Sequence, residues 1–151
     1  MGEAGHEVGF HCLDHVRHSE CGGAEIAADV REGLAMLASI GVRPTAWRTP
    51  WGVVTEATYR VAAEHELEIC GWSFDSHDWR GDSRERMLAA LAAEDGLRDG
   101  AVVLMHDGIG PGALRAGCAE TVALAEALLV AAEARGLRAA IVSETMRRAA
   151  A

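Results

Sequence analysis

The 151-residue chain carries a formal charge of −9, and half of its residues are apolar. That length and apolar content suit one domain, residues 1–151, with a real hydrophobic core. The acidic balance argues against nucleic acid or an anionic membrane surface as partner. No apolar run approaches the length of a membrane span, and no basic-then-apolar leader opens the chain, so a cytoplasmic location is the default expectation. All 14 basic residues are arginine, and Lys, Asn and Gln are absent. This reads as codon bias, and it leaves no N-glycosylation sequon. Cys12, Cys21, Cys70 and Cys118 form no C-x-x-C pair, and reduced, mostly buried thiols are expected.

Met1 to Gly5 reads as the tail of a helix with a glycine stop. A strand, Glu7 to Phe10, leads into His11, with His15 four residues on. Ala24 to Ile40 has helical spacing, with Ile26, Val30, Leu34, Leu37 and Ile40 on one side. Gly41 closes it, and Pro44 bars its continuation. Thr45 to Trp47 is a short strand, followed by the loop Arg48-Thr49-Pro50-Trp51-Gly52. Thr55 caps a second helix that runs to Glu66. Leu67 to Phe74 is expected to be one strand, ending in Asp75-Ser76-His77-Asp78-Trp79. Ser83 to Ala93 is a third helix. Ala101 to Met105 is an apolar strand of the buried parallel type, running straight into His106-Asp107-Gly108. After a Gly/Pro loop comes a long helix from about Cys118 to Arg135. Leu137 to Val142 is expected as the last strand, with Ser143 capping a short terminal helix.

The strand–helix alternation recurs about every thirty residues, as parallel βα units do. Strand ends in such folds converge on one face, where ligands bind. His11, Arg48, Asp75 with Asp78, and His106 all stand at such ends. His11 and His15, at i and i+4, lie on one face of a helical turn and could share a divalent metal. A catalytic zinc takes three protein ligands. His18, with Asp14 nearby, offers an alternative site of three histidines. Asp75 could simply close a turn. His6, His65 and His77 read as solvated or loop histidines, and Trp79 and Leu104 could be ordinary core residues.

Together these clusters resemble the polysaccharide deacetylases, the NodB-homology domain of carbohydrate esterase family four. The family's His-(Ser/Thr)-x-x-His motif matches His11-Cys12-Leu13-Asp14-His15. Its Arg-x-Pro-x-Gly loop matches Arg48-Thr49-Pro50-Trp51-Gly52. Its Asp-x-x-Asp-Trp matches Asp75 to Trp79, and its Leu-x-His matches Leu104-Met105-His106. The resemblance implies an α/β fold, a distorted parallel (β/α) barrel of the deacetylase type, incomplete at the N-terminus. It implies a metal-dependent hydrolase removing an N-acetyl group from an amino sugar or glycan. His11 and His15 would hold a divalent metal, zinc being the first expectation. His106 would protonate the departing amine, oriented by Asp78, and Arg48 would pair with the catalytic base. Pro50, Trp51, Trp79 and Leu104 would meet the substrate, the backbone N–H of Trp51 facing the developing oxyanion.

The family's Thr-Phe-Asp-Asp-Gly motif, which would supply the base and a third metal ligand, is absent from the 151 residues. Only Glu3 and Glu7 precede His11 as carboxylate candidates, and Cys12 stands where Ser or Thr is usual. Impaired activity is therefore expected of the chain as given. The folded unit is expected to begin upstream of Met1, and the open sheet edges to favour self-association. A deformylase or other amide hydrolase on this scaffold, and a non-catalytic remnant binding sugar or metal, are the alternatives.

Overall fold

The computed structural model describes residues 4–149. The chain divides into two compact units, Met1–Gly71 with Ile141–Ala151, and Trp72–Ala140. The architecture is mixed α/β, and every strand pair among the described residues is parallel. No described helix is long and apolar enough to cross a membrane.

In the first unit, β1 (Ala46–Trp47) pairs in parallel with β2 (Glu68–Ile69). Phe10 adds a single parallel bridge on Trp47: its N–H donates to Ala46 O at 2.8 Å, and its carbonyl accepts from Arg48 N at 2.9 Å. The strand expected over Glu7 to Phe10 contracts to that one residue. Helices α1 (Gly23–Ser39) and α2 (Glu56–Glu64) pack on each other. Phe10, Ile26, Val30, Trp47, Val61, Ala62 and Leu67 form the core. Ile40, expected on the apolar side of α1, is instead 73 % exposed, because the helix ends one residue before it.

Local chemistry explains both helix starts. The Glu25 carboxylate accepts the Gly22 N–H at 2.6 Å. At α2 the expected cap holds: Thr55 Oγ1 accepts from Thr58 N, and Thr58 Oγ1 accepts from Thr55 N. These bonds satisfy donors that the helix leaves open. Gly33 sits inside α1 despite its poor helix propensity, because the Phe10 ring packs against its backbone. A Cβ added there would lie 2.5 Å from Phe10 Cε2.

In the second unit, β3 (Phe74–Asp75) pairs in parallel with β4 (Val103–Leu104), with Phe74 opposite Val103 and Asp75 opposite Leu104. Helices α3 (Arg84–Ala93) and α4 (Ala119–Ala134) pack together over Phe74, Met87, Leu91, Leu124 and Leu128. Ser83 caps α3, its hydroxyl accepting from Arg86 N.

Two expected strands are corrected. Leu67 to Phe74 is not one strand but β2 and β3, which belong to different units; Cys70 N still reaches Trp47 O, whereas Ser73 N already reaches Val102 O. Leu137 to Val142 forms no ladder. Leu137 N closes α4 on Ala132 O at 2.9 Å behind Gly136 at φ 70°, a glycine-terminated helix end. The chain then enters α5 (Val142–Ala149), so Ser143 lies inside that helix and does not cap it. Ala139 and Ala140 have little strand preference to oppose this. Of the helix tail at Met1 to Gly5, residues 1–3 lie outside the described residues, and Gly5 has the φ of 81° expected of a stop.

Candidate active site

In the first unit, His11 follows the Phe10 bridge directly, so pairing of Phe10 with Trp47 sets where its side chain starts. The stretch from His11 to His15 is not the helical turn expected; Cys12 has a left-handed φ of 68°. The loop nevertheless brings the two imidazoles together, with centroids 5.1 Å apart and rings edge to face. Asp29, on α1, fixes the loop's backbone: its carboxylate accepts from Leu13 N at 3.2 Å and from Asp14 N at 2.6 Å.

His11 Nδ1 lies 2.7 Å from the carbonyl oxygen of Arg48. A carbonyl only accepts, so Nδ1 carries the hydrogen and Nε2 the lone pair. That is the tautomer of a metal-ligating imidazole with its second nitrogen anchored. His15 stacks on Trp51 at 4.1 Å between centroids, and the Arg17 guanidinium covers the same indole at 4.6 Å. Trp51 itself has a left-handed φ of 53° in the short 3-10 turn Pro50–Gly52. Pro50, at the start of that turn, is fully buried. Arg48 donates from Nη2 to Gly71 O at 3.0 Å.

The three-histidine alternative is not assembled. His18 is buried in the first unit, with Nδ1 3.0 Å from Thr58 Oγ1, Nε2 3.7 Å from Cys12 Sγ and its ring on Trp47. Burial holds this imidazole below its ordinary pKa, against the weaker opposing pull of Asp29. The Cys12 thiol, which accepts from Trp47 Nε1, is pushed up to about 12, mainly by burial. It is therefore a poor nucleophile and ligand. All four cysteines are free, and all are half-buried rather than buried. Glu7, the one described carboxylate candidate before His11, accepts from Ser143 N at 2.9 Å, and Glu3 lies outside the described residues. Among the described residues no group of three or more His, Cys, Asp or Glu could hold a metal ion. The His11–His15 pair offers two imidazoles, one fewer than the three protein ligands a catalytic zinc takes.

In the second unit, Asp75 ends β3, Asp78 stands in the turn that follows, and His106 comes two residues after β4. Asp75 closes the turn, its Oδ1 accepting from His77 N at 2.8 Å. Asp78 is fully buried and faces His106 twice: Oδ1 is 2.7 Å from His106 Nδ1, and Oδ2 accepts from His106 N at 2.9 Å. Burial alone would push this carboxyl up. The bonds from the His106 side chain and backbone and from Thr121 outweigh it and hold Asp78 below the usual carboxylate range. An ionised Asp78 can only accept, so His106 Nδ1 donates and Nε2 is the nitrogen left to exchange a proton. Leu104 is buried beside this pair in sequence, and Trp79 is half-buried under the Arg80 guanidinium at 5.1 Å.

Two residues here escaped the sequence reading. Thr121 Oγ1 donates to Asp78 Oδ2 at 2.8 Å, and Arg115 Nη1 lies 2.8 Å from the same oxygen. The available signal was a lone arginine in an otherwise small and apolar stretch, Gly112 to Gly117, shortly after the His106 loop.

The family model for polysaccharide deacetylase matches residues 1–70. A chitooligosaccharide deacetylase from Bradyrhizobium sp. (strain ANU 289) is 33 % identical over 110 residues, 72 % of this chain and 49 % of that protein. A peptidoglycan-N-acetylglucosamine deacetylase from Listeria monocytogenes is 36 % identical over 106 residues, 70 % of this chain and 22 % of its own length. Among solved structures, a family 4 carbohydrate esterase from Streptomyces lividans in complex with acetate superposes with a TM-score of 0.77 at 25 % identity, covering 91 % of this chain and 66 % of that one. The chain therefore spans half or less of the length of these curated relatives.

Proposed function

Since the chain belongs to the polysaccharide deacetylase family, we propose that it is a hydrolase acting on the N-acetyl group of an amino-sugar glycan, chitooligosaccharide- or peptidoglycan-like. The observation that carries this reading is the His106 dyad: an imidazole whose Nδ1 is held by a buried, ionised carboxylate is built to give up a proton from Nε2. Amide hydrolysis needs that proton. Water adds to the acetamide carbon, the C–N bond breaks, and the sugar amine leaves only when its nitrogen is protonated. His106 is assigned that delivery, and Asp78 stabilises the imidazolium before it and orients the ring afterwards.

His11 and His15 are assigned the divalent metal, and their imidazole donors suit zinc among others. A zinc ion, when bound, supplies Lewis acidity toward the amide carbonyl. The chain's own part is to hold the two rings: Arg48 O anchors His11, Trp51 backs His15, and Asp29 fixes the loop between them. Trp51 and Trp79 are assigned to the sugar and acetyl groups, and Arg48 to the catalytic carboxylate of the family pattern.

The missing third ligand among the described residues favours one second reading, a protein that binds zinc or glycan without turnover. Acetate release from N-acetylglucosamine oligomers, with and without zinc, separates the two. The deacetylase reading expects slow release that His106→Ala and His11→Ala each abolish. Glycan binding with no release in any variant would establish the second reading.

A further inference from the structure

Arg115 is 5 % exposed at its side chain; both terminal nitrogens of its guanidinium are engaged at the His106 dyad and the groups beside it, while Nε is buried with no hydrogen-bond partner among the described residues. Nη1 donates to Asp78 Oδ2 at 2.8 Å and also contacts Thr121 Oγ1. Nη2 donates to the carbonyl oxygens of His106 at 2.7 Å and Gly108 at 2.8 Å. One planar fork therefore grips both the carboxylate that orients the imidazole and the backbone on either side of Asp107. Asp78 Oδ2 accepts three donors, from His106 N, Arg115 and Thr121. That leaves Oδ1 to His106 Nδ1 alone.

We propose that Arg115 is a positioning residue of this site, locking the Asp78 carboxylate and the His106–Gly108 backbone into the arrangement that presents the imidazole for proton transfer. The assignment goes beyond the dyad itself and rests on reading His106 as the proton donor. A buried carboxylate with three donors on one oxygen cannot rotate without breaking several charge-assisted bonds. Remove the guanidinium and Oδ2 keeps only Thr121 and a backbone N–H, while two carbonyls lose their donor. Lysine does not replace it: a compact ammonium lacks the fork that reaches the carboxylate and both carbonyls together. The charges facing Asp78 are His106 and Arg115; Asp107 is exposed, and Glu120 is engaged by Arg84 N.

The test uses the full 151-residue chain and needs no turnover, so it can fail while the deacetylase reading stands, and the reverse. Two NMR readouts are followed: the 13C titration of the Asp78 carboxyl and the Nδ1–H proton signal of His106. In Arg115→Met the Asp78 midpoint should rise by about one pH unit or more, since a cation beside a carboxylate favours its ionised form by that order. The Nδ1–H signal should broaden or vanish. Arg115→Lys keeps the charge, so the Asp78 midpoint should stay near wild type while the Nδ1–H signal is still lost. A folded Arg115→Met with unchanged midpoint and a sharp signal would overturn the proposal. If that variant does not fold, Arg115→Lys decides: a sharp wild-type signal in it rules out positioning by the fork, and a lost signal supports it.

Discussion

His11 Nδ1 donates to the main-chain oxygen of Arg48 at 2.7 Å, so the strand-end arginine fixes the tautomer of His11 through its backbone. With Nε2 of His11 presented and His15 5.1 Å away between ring centroids, the pair should bind zinc, but weakly, because two protein ligands are fewer than such sites normally use. Titration calorimetry should show binding that disappears in both His11→Ala and His15→Ala. His18→Ala should leave it in place. Affinity that survives His15→Ala would place the metal elsewhere.

Gly33 and Phe10 give a packing prediction. A methyl group at Gly33 meets the Phe10 ring at 2.5 Å, and that ring is itself buried against Trp47, so it has nowhere to retreat. Overpacking of this kind costs about 1–3 kcal/mol, which outweighs the roughly 1 kcal/mol that alanine gains over glycine inside a helix. Gly33→Ala should therefore lower the urea midpoint, although the same change at an exposed helical glycine would raise it. A raised midpoint would mean that Phe10 is not where the structure puts it.

Stability should fall on the acid side in two stages. His18 has its pKa lowered by burial, so the unfolded chain binds the proton more readily. Its contribution is complete above the unfolded value near 6.5 and is lost as pH drops below it. Asp78 is likewise depressed; its contribution is present above the ordinary carboxylate range and disappears as pH falls through its lower folded value. Thermal melts across pH 7 to about 3 should show both. His18→Gln should flatten the first stage, and Asp78→Asn the second. Insensitivity of the first stage to His18→Gln would contradict the burial argument.

The sequence reading succeeded where a residue's type and neighbours decide the outcome locally. Thr55 caps its helix as expected, Asp75 closes its turn, and Asp78 and His106 meet. It failed where tertiary pairing decides. Leu67 to Phe74 looks like one apolar strand, yet its two halves pair with different partners. Leu137 to Val142 has strand-like ends, but its alanines yield to the closing turn of α4 and the start of α5. Arg115 was invisible for a different reason: nothing near it in sequence shows that its fork reaches thirty-seven positions back to Asp78.

On the proposed function, His106 is the proton donor and His11 and His15 the metal ligands of an N-deacetylase, with no carboxylate completing the pair among the described residues. Loss of a general base costs about 10²–10⁴-fold in rate, and a small added carboxylate such as formate can partly take its place. The decisive measurement is acetate release from N-acetylglucosamine oligomers by the 151-residue chain with zinc, at increasing formate. The account predicts release that is barely measurable without formate, rises with it, and stays at background in His106→Ala. No release above background at any formate concentration would contradict it.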